Sequence, residues 1–307
     1  MNKKIGLIDV IPIFLMSILF VLIDLLALWV VGPFEAVGEF AFENPSDPLN
    51  LAYFFFILLF FTVLILLISK FWKKQAVQVI VLVSTGLLYP YVFYPLLIMV
   101  VPDAWWALGL SIAAAAILLI MLLKKPEWYV IDISGILTGV GAIAILGISL
   151  NILLVIVLLI GMAIYDAISV YQTKHMIELA DTLVDLRLPI MFVIPKKREY
   201  SLAKETKSLK EKLKEGEERG AFFMGLGDII FPGILATSAF HNITSNGFLI
   251  ALSVMLGTLL GFALLMKSVI KGKPQAGLPY LCTGAILGYL VSSYLIFGGI
   301  VGLTLPI

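Results

Sequence analysis

The sequence predicts an all-α membrane protein of nine transmembrane helices, with its N-terminus cytoplasmic and its C-terminus outside. Three observations predict it. Of 307 residues, 61% are hydrophobic and 13% charged, against about 25% charged in soluble domains. Nine apolar segments approach or exceed the roughly 20 residues that a spanning helix needs. The basic residues, finally, fall on one side of the membrane that those segments define.

The segments cover about residues 10–31, 51–71, 76–100, 105–123, 129–147, 150–173, 221–240, 247–267 and 279–302. The first is too long for a signal peptide, and no small-residue cleavage site follows it. The third carries Pro90 and Pro95, tolerable where neighbouring helices re-satisfy the backbone. Trp105 and Trp106 open the fourth, while Trp72 and Trp128 sit at the inner boundary, as aromatic anchors do. The fifth and sixth form a nearly continuous apolar run, split at the turn signal of residues 147–151.

Charge tests this parse. Lys3 and Lys4 precede the first segment, Lys70, Lys73 and Lys74 follow the second, and Lys124 and Lys125 follow the fourth. Ten more lie between 187 and 219, with Lys174 just before them, and Lys267, Lys271 and Lys273 follow the eighth. All 21 lysines and arginines thus share one side, whereas the first opposite loop is acidic, with Glu35, Glu39, Glu43 and Asp47. The positive-inside rule makes the basic side cytoplasmic. The implied organisation is helices one to six over 1–173, a cytoplasmic loop over 174–220, and helices seven to nine over 221–307, together one membrane-embedded domain.

Composition also excludes. A net charge of +1, with small basic groups, argues against nucleic acid. The single Cys282 rules out an internal disulfide or multi-thiolate site. His175 and His241 stand far apart, so no metal site is expected, and no organic cofactor is implied.

An ionisable residue inside the hydrocarbon is expensive and by default functional. Asp24, Asp166 and Asp228 qualify; Asp9 and Asp132 lie near the inner surface, where charge costs little. Asp166 stands eight residues before Lys174 and Asp228 eight after Gly220, which places each roughly 12 Å inside the cytoplasmic boundary on a helical rise. Asp24 lies in the other half of the bilayer and has no partner that the sequence names. Two carboxylates at one depth can share a proton, because like charges close together in a poor solvent cannot both ionise. Three readings suit such a pair: an aspartic-protease dyad, a proton or cation site of a transporter or channel, and a structural acid pair satisfied by hydroxyls. Gly225 and Gly227 flank Leu226 just before Asp228, and either admit close backbone approach and a late helix start or serve close helix packing. Tyr165 either orients Asp166 or snorkels.

With these residues in view, "YD" (Tyr165, Asp166) on the sixth segment and "GLGD" (residues 225–228) on the seventh resemble the presenilin and signal-peptide-peptidase family of intramembrane aspartyl proteases. Nine spans, with the motifs on six and seven around a large loop, agree with that family. The longer "GLGDIIFPG" looks closer to the signal-peptide-peptidase branch, whereas the orientation resembles presenilins; short outer loops suit a microbial presenilin-type homologue in a cell membrane. The family's third motif, Pro-Ala-Leu, is matched by "PQAGLPYL": Leu278 agrees and Pro279 follows, but the Pro-Ala step reads Ala276-Gly277. These residues either expose irregular backbone beside the pair, positioning substrate, or simply begin a helix with proline in its first turn.

The resemblance implies hydrolysis of peptide bonds within transmembrane segments of other proteins, with Asp166 and Asp228 as catalytic dyad, supported by Tyr165, Gly225, Leu226 and Gly227. Water is the co-reactant and the bilayer the medium. Obligatory partner subunits are not expected, and a homo-oligomer stays open. No His-Glu-x-x-His or Gly-x-Ser-x-Gly supplies another protease chemistry. The adjacency of the two aspartate segments lacks the inverted repeat of many transporters.

Two features remain. "LRLPIMFVIPKK" is β-prone, with a free edge expected to pair with an unwound substrate by strand addition, or else to lie on the inner face of the bundle. The charged run 204–219 reads as solvated helix or linker. "HNITSN" carries a sequon at Asn242 that is either a glycosylation site or turn chemistry.

Overall fold

Nine helices and one two-stranded sheet make up the described part of the computed structural model, which covers residues 7–71, 74–173, 188–196, 200, 220–269 and 275–303. The helices are α1 (Leu7–Val37), α2 (Leu49–Phe71), α3 (Lys74–Ile98), α4 (Ala104–Lys124), α5 (Trp128–Ser149), α6 (Ile152–Ile168), α7 (Leu226–Asn242), α8 (Gly247–Val269) and α9 (Leu278–Phe297). A π-helical turn, Ser169–Thr173, continues α6, and strands β1 (Met191–Pro195) and β2 (Ala221–Gly225) pair antiparallel. His175, Trp72 and the charged run 204–219 lie outside the described residues.

Seven of these helices are long and apolar enough to cross a membrane, and α2 is apolar over Leu49–Ile65. Their outward faces carry exposed apolar side chains such as Trp29, Leu87, Leu260 and Leu295, surface that lipid solvates and water does not. In α4 the buried residues Ala107, Ser111, Ala115, Leu118 and Leu122 recur every three or four positions, so one face turns inward.

The expected seventh segment, 221–240, is not one helix. Residues 221–225 form β2, and the helix begins only at Leu226 and ends at Asn242 after 17 residues. The sequence "AFFMG" is apolar either way, and apolarity over so short a run does not separate strand from helix. The helical-rise depth for Asp228 therefore does not hold, because the strand advances about 3.3 Å per residue rather than about 1.5 Å. The split between the fifth and sixth segments is where the turn signal put it. Asn151 caps α6 by accepting the Leu154 N–H at 2.8 Å, and its own N–H donates to Pro45 O at 2.9 Å.

The helices gather into two units. The first holds α1, the second half of α5, α6, α7 from Gly227, α8 and α9. Here α8 and α9 meet backbone to backbone: a methyl group on Gly257 would strike the Gly284 carbonyl, one on Gly261 the Tyr280 carbonyl, and one on Gly288 the Ser253 carbonyl. Small residues permit such approach, and α9 packs also on α6. The tail after α9 folds back, with the Tyr289 hydroxyl donating to Val301 O and Ser293 Oγ accepting the Val301 N–H at 2.9 Å.

The second unit holds α2, α3, α4, the first half of α5 and the sheet. Its core joins Leu82 and Tyr89 of α3, Leu118 of α4 and Ile131 of α5 to Val193 of β1.

Candidate active site

Asp166 lies near the end of α6, one turn before the π-helical turn, and is buried at 6% exposure. π-turns recur at functional sites because they redirect side chains without ending a helix. From that turn the Tyr171 hydroxyl donates to Gln275 Oε1 at 2.9 Å. A second tie lies close by: Asp166 Oδ2 accepts the backbone N–H of Leu278 at 3.0 Å. Two bonds thus moor the segment before α9 along α6 and its extension.

Asp228 occupies the first turn of α7, where the unpaired N–H groups and the helix dipole favour a carboxylate. Its carboxylate lies against Gly277. A methyl group there would stand 3.0 Å from Oδ1 and 3.2 Å from Oδ2, tighter than side chains ordinarily pack.

The residues 276–279 explain how one short segment serves both acids. Ala276 is fully buried. Gly277 caps α9 with helical φ and ψ and no side-chain bond, and its carbonyl accepts the Tyr280 and Leu281 N–H groups at 3.1 and 3.2 Å. Pro279 fits the first turn, where a missing N–H costs nothing. Leu278, the first residue of α9, has an N–H without a helical acceptor, and Asp166 takes it. "PQAGLPYL" is thus a helix start with proline in its first turn, whose backbone bonds the Asp166 carboxylate and lies against that of Asp228. Cys282, one turn further, is buried.

Other expected residues stand differently. Tyr165 is 40% exposed, and its hydroxyl makes no hydrogen bond among the described residues. Gly225 ends β2 opposite Met191, and the Leu226 N–H donates to Ile190 O at 3.0 Å. A methyl group on Gly227 would meet only the Phe231 ring at 3.4 Å, an ordinary contact, so space alone does not require glycine there. Asp24 contacts Gly233, far along α7 from its first turn.

The strand expected within "LRLPIMFVIPKK" is β1, and it is already half of a sheet. One edge of β1 pairs with β2 from Met191–Gly225 to Pro195–Ala221. On the other, the Val193 N–H donates to Asp132 Oδ1 at 2.8 Å, and Pro195 has no N–H to offer. Asp132, set aside as a surface acid, is an edge cap. The parts played by Tyr171, Gln275 and Asp132 were hidden from the sequence because each makes a contact distant in sequence.

The sequence profile of the family described as signal-peptide peptidase, presenilin aspartyl protease matches residues 17–299. Two solved structures are similar over nearly the whole chain. One, a presenilin family intramembrane aspartate protease in a P2 crystal form, is 33% identical with a TM-score of 0.66, covering 91% of this chain and 96% of that one. The other, a presenilin family intramembrane aspartate protease in a C222 form, is 32% identical with a TM-score of 0.68, covering 92% and 99%. No curated protein matches the chain in sequence. The family and these structures are proteases, and nothing among them favours the transporter reading. The chain belongs to the signal-peptide-peptidase and presenilin family of intramembrane aspartyl proteases.

Proposed function

We propose that Asp166 and Asp228 are the catalytic dyad of this protease and that it cuts transmembrane segments of other proteins within the bilayer. The observation that carries the reading is the convergence of both carboxylates on the Gly277–Leu278 step. The ionised member of the pair draws a proton from water, which attacks the scissile carbonyl while the protonated member donates to the carbonyl oxygen. The tetrahedral diol collapses as the protonated carboxyl gives its proton to the departing nitrogen and the ionised one takes a proton from a diol hydroxyl, so the dyad returns to its one-proton state. Two groups sharing one proton titrate as a pair, so neither has a private acid–base role in the resting enzyme.

Supporting residues follow from position. Gly277 leaves room for the Asp228 carboxylate, the Leu278 N–H orients Asp166, and Ala276 and Pro279 fix that backbone for substrate. Gly225, Leu226 and Gly227 carry the chain from strand to helix just before Asp228, and Tyr165 lines the approach beside Asp166. We place the N-terminus in the cytoplasm and the C-terminus outside, because all 21 basic residues share one side of a nine-span parse, with α2 and α7 as the spans beyond the seven long helices. Residues 174–220 are then the cytoplasmic loop between the halves 1–173 and 221–307. The setting is the cell membrane of a microbe, where the chain works without an obligatory partner subunit, alone or as a homo-oligomer.

The test is binding of a hydroxyl-bearing peptide mimic of the tetrahedral intermediate. The wild-type chain binds it, and Asp166→Asn and Asp228→Asn each weaken binding about a hundredfold or more, within the range that transition-state complementarity spans. Equal binding by folded variants rejects the dyad.

A further inference from the structure

Asp24 of α1 is 3% exposed, and its Oδ1 makes no hydrogen bond among the described residues. That oxygen lies on the bare backbone of α7: a methyl group at Gly233 would stand 2.5 Å from Asp24 Oδ1 and 2.7 Å from Ile143 Cδ1 of α5. Gly233 follows Pro232, which has no N–H to give the carbonyl four residues earlier, that of Asp228. The hydrogen-bond ladder of α7 is therefore interrupted between Asp228 and the point where Asp24 presses. One turn beyond, Thr237 packs its methyl against Gly147 of α5.

This arrangement has a mechanical meaning. A proline inside a helix makes the turn before it free to swing relative to the turn after it. The first turn of α7 carries Asp228, so the direction of its carboxylate depends on how that joint is set. The contacts at Gly233 and Thr237 grip the helix immediately past the joint. A leucine at position 24 would suit the apolar interior into which α1 packs there, whereas a buried carboxyl group is costly unless it is used.

We propose that Asp24 is a positioning residue of this protease: its carboxyl group, seated on the Gly233 backbone, sets the Pro232 joint and so holds Asp228 at the Gly277–Leu278 step. Asp24 touches neither substrate nor water at the dyad and acts only through α7. The inference rests on the Asp166 and Asp228 reading.

Full-length Asp24→Leu, Asp24→Asn, Gly233→Ala and Asp228→Asn chains, reconstituted in liposomes, are compared with wild type for kcat and KM on a synthetic transmembrane substrate and for thermal midpoint. Asp24→Leu is expected to lower kcat about tenfold to a hundredfold, the penalty of a misplacement near 1 Å, with KM and midpoint kept. Asp24→Asn, which preserves shape and polarity, keeps most of kcat. Unchanged kcat in a folded Asp24→Leu chain overturns the proposal. So does an equal loss in Leu and Asn variants, which would assign Asp24 proton chemistry instead. If Asp24→Leu does not fold, Gly233→Ala decides: its methyl displaces the Asp24 oxygen, so loss of kcat at unchanged KM supports the proposal and full kcat overturns it. Cleavage that survives in Asp228→Asn fails the dyad reading itself, which keeps the two failures apart.

Discussion

Leu278 gives its backbone N–H to Asp166 across 3.0 Å, and the residue before it leaves just enough room for the carboxylate of Asp228. Two acids from different helices thereby address adjacent residues of one helix start. The N-terminal end of α9 is where the two acid-bearing turns of α6 and α7 meet.

Gly277 should then tolerate little added volume. Its φ of −79° and ψ of −50° suit any residue, so substitution effects report space alone. Alanine, the residue that the resembled Pro-Ala-Leu motif has there, needs a shift of a few tenths of an ångström, and Gly277→Ala should keep kcat/KM within about tenfold of wild type. Gly277→Val places a branched group on the carboxylate and should lose about a hundredfold or more. Kinetics on folded protein in liposomes check both.

The pairing of α8 with α9 should be as intolerant, for a reason of stability. Gly257→Val would drive a side chain into the Gly284 carbonyl, and overpacking of this kind costs about 1–3 kcal/mol or more. A lowered thermal midpoint in detergent is the expected result. Because α9 begins at Leu278, cleavage should fall as well.

Asp132→Ala should loosen the sheet. It leaves the Val193 N–H without its acceptor, a loss of about 1–3 kcal/mol if no water replaces it. Hydrogen exchange of a peptide covering Met191–Pro195 should quicken, while α4 keeps its protection.

Glu39, just beyond α1, gives a pH signature. Burial pushes its carboxyl up from the usual 4.5 to about 7, and its Oε2 has no partner among the described residues. The folded state thus holds this proton more tightly than the unfolded chain. The stability linked to it is complete below about pH 4.5 and is lost as pH rises through about 7. Thermal midpoints across that window should fall more for wild type than for Glu39→Gln, which carries no ionisable group there.

Much of this architecture is readable from residue order. The apolar runs mark the spans, Asn151 divides two that composition merges, and an acid within each of two adjacent spans announces a pair. The depth arithmetic that matched Asp166 with Asp228 used a helical rise for residues that form β2, yet the two acids still converge, through Gly277 and Leu278. What stayed hidden depends on pairing across distance. Nothing local in "MFVIP" says that Ala221–Gly225 will pair along one edge or that Asp132 will take the Val193 N–H on the other. The Ala276-Gly277 departure likewise becomes intelligible only once the Asp228 carboxylate is seen against the glycine.

Cleavage of a synthetic transmembrane substrate by the purified chain in liposomes, beside Asp166→Asn and Asp228→Asn, tests the central claim most directly. The dyad predicts cutting by wild type alone, with each single substitution reducing it to background while the thermal midpoint holds. Robust cleavage by either folded variant would contradict it.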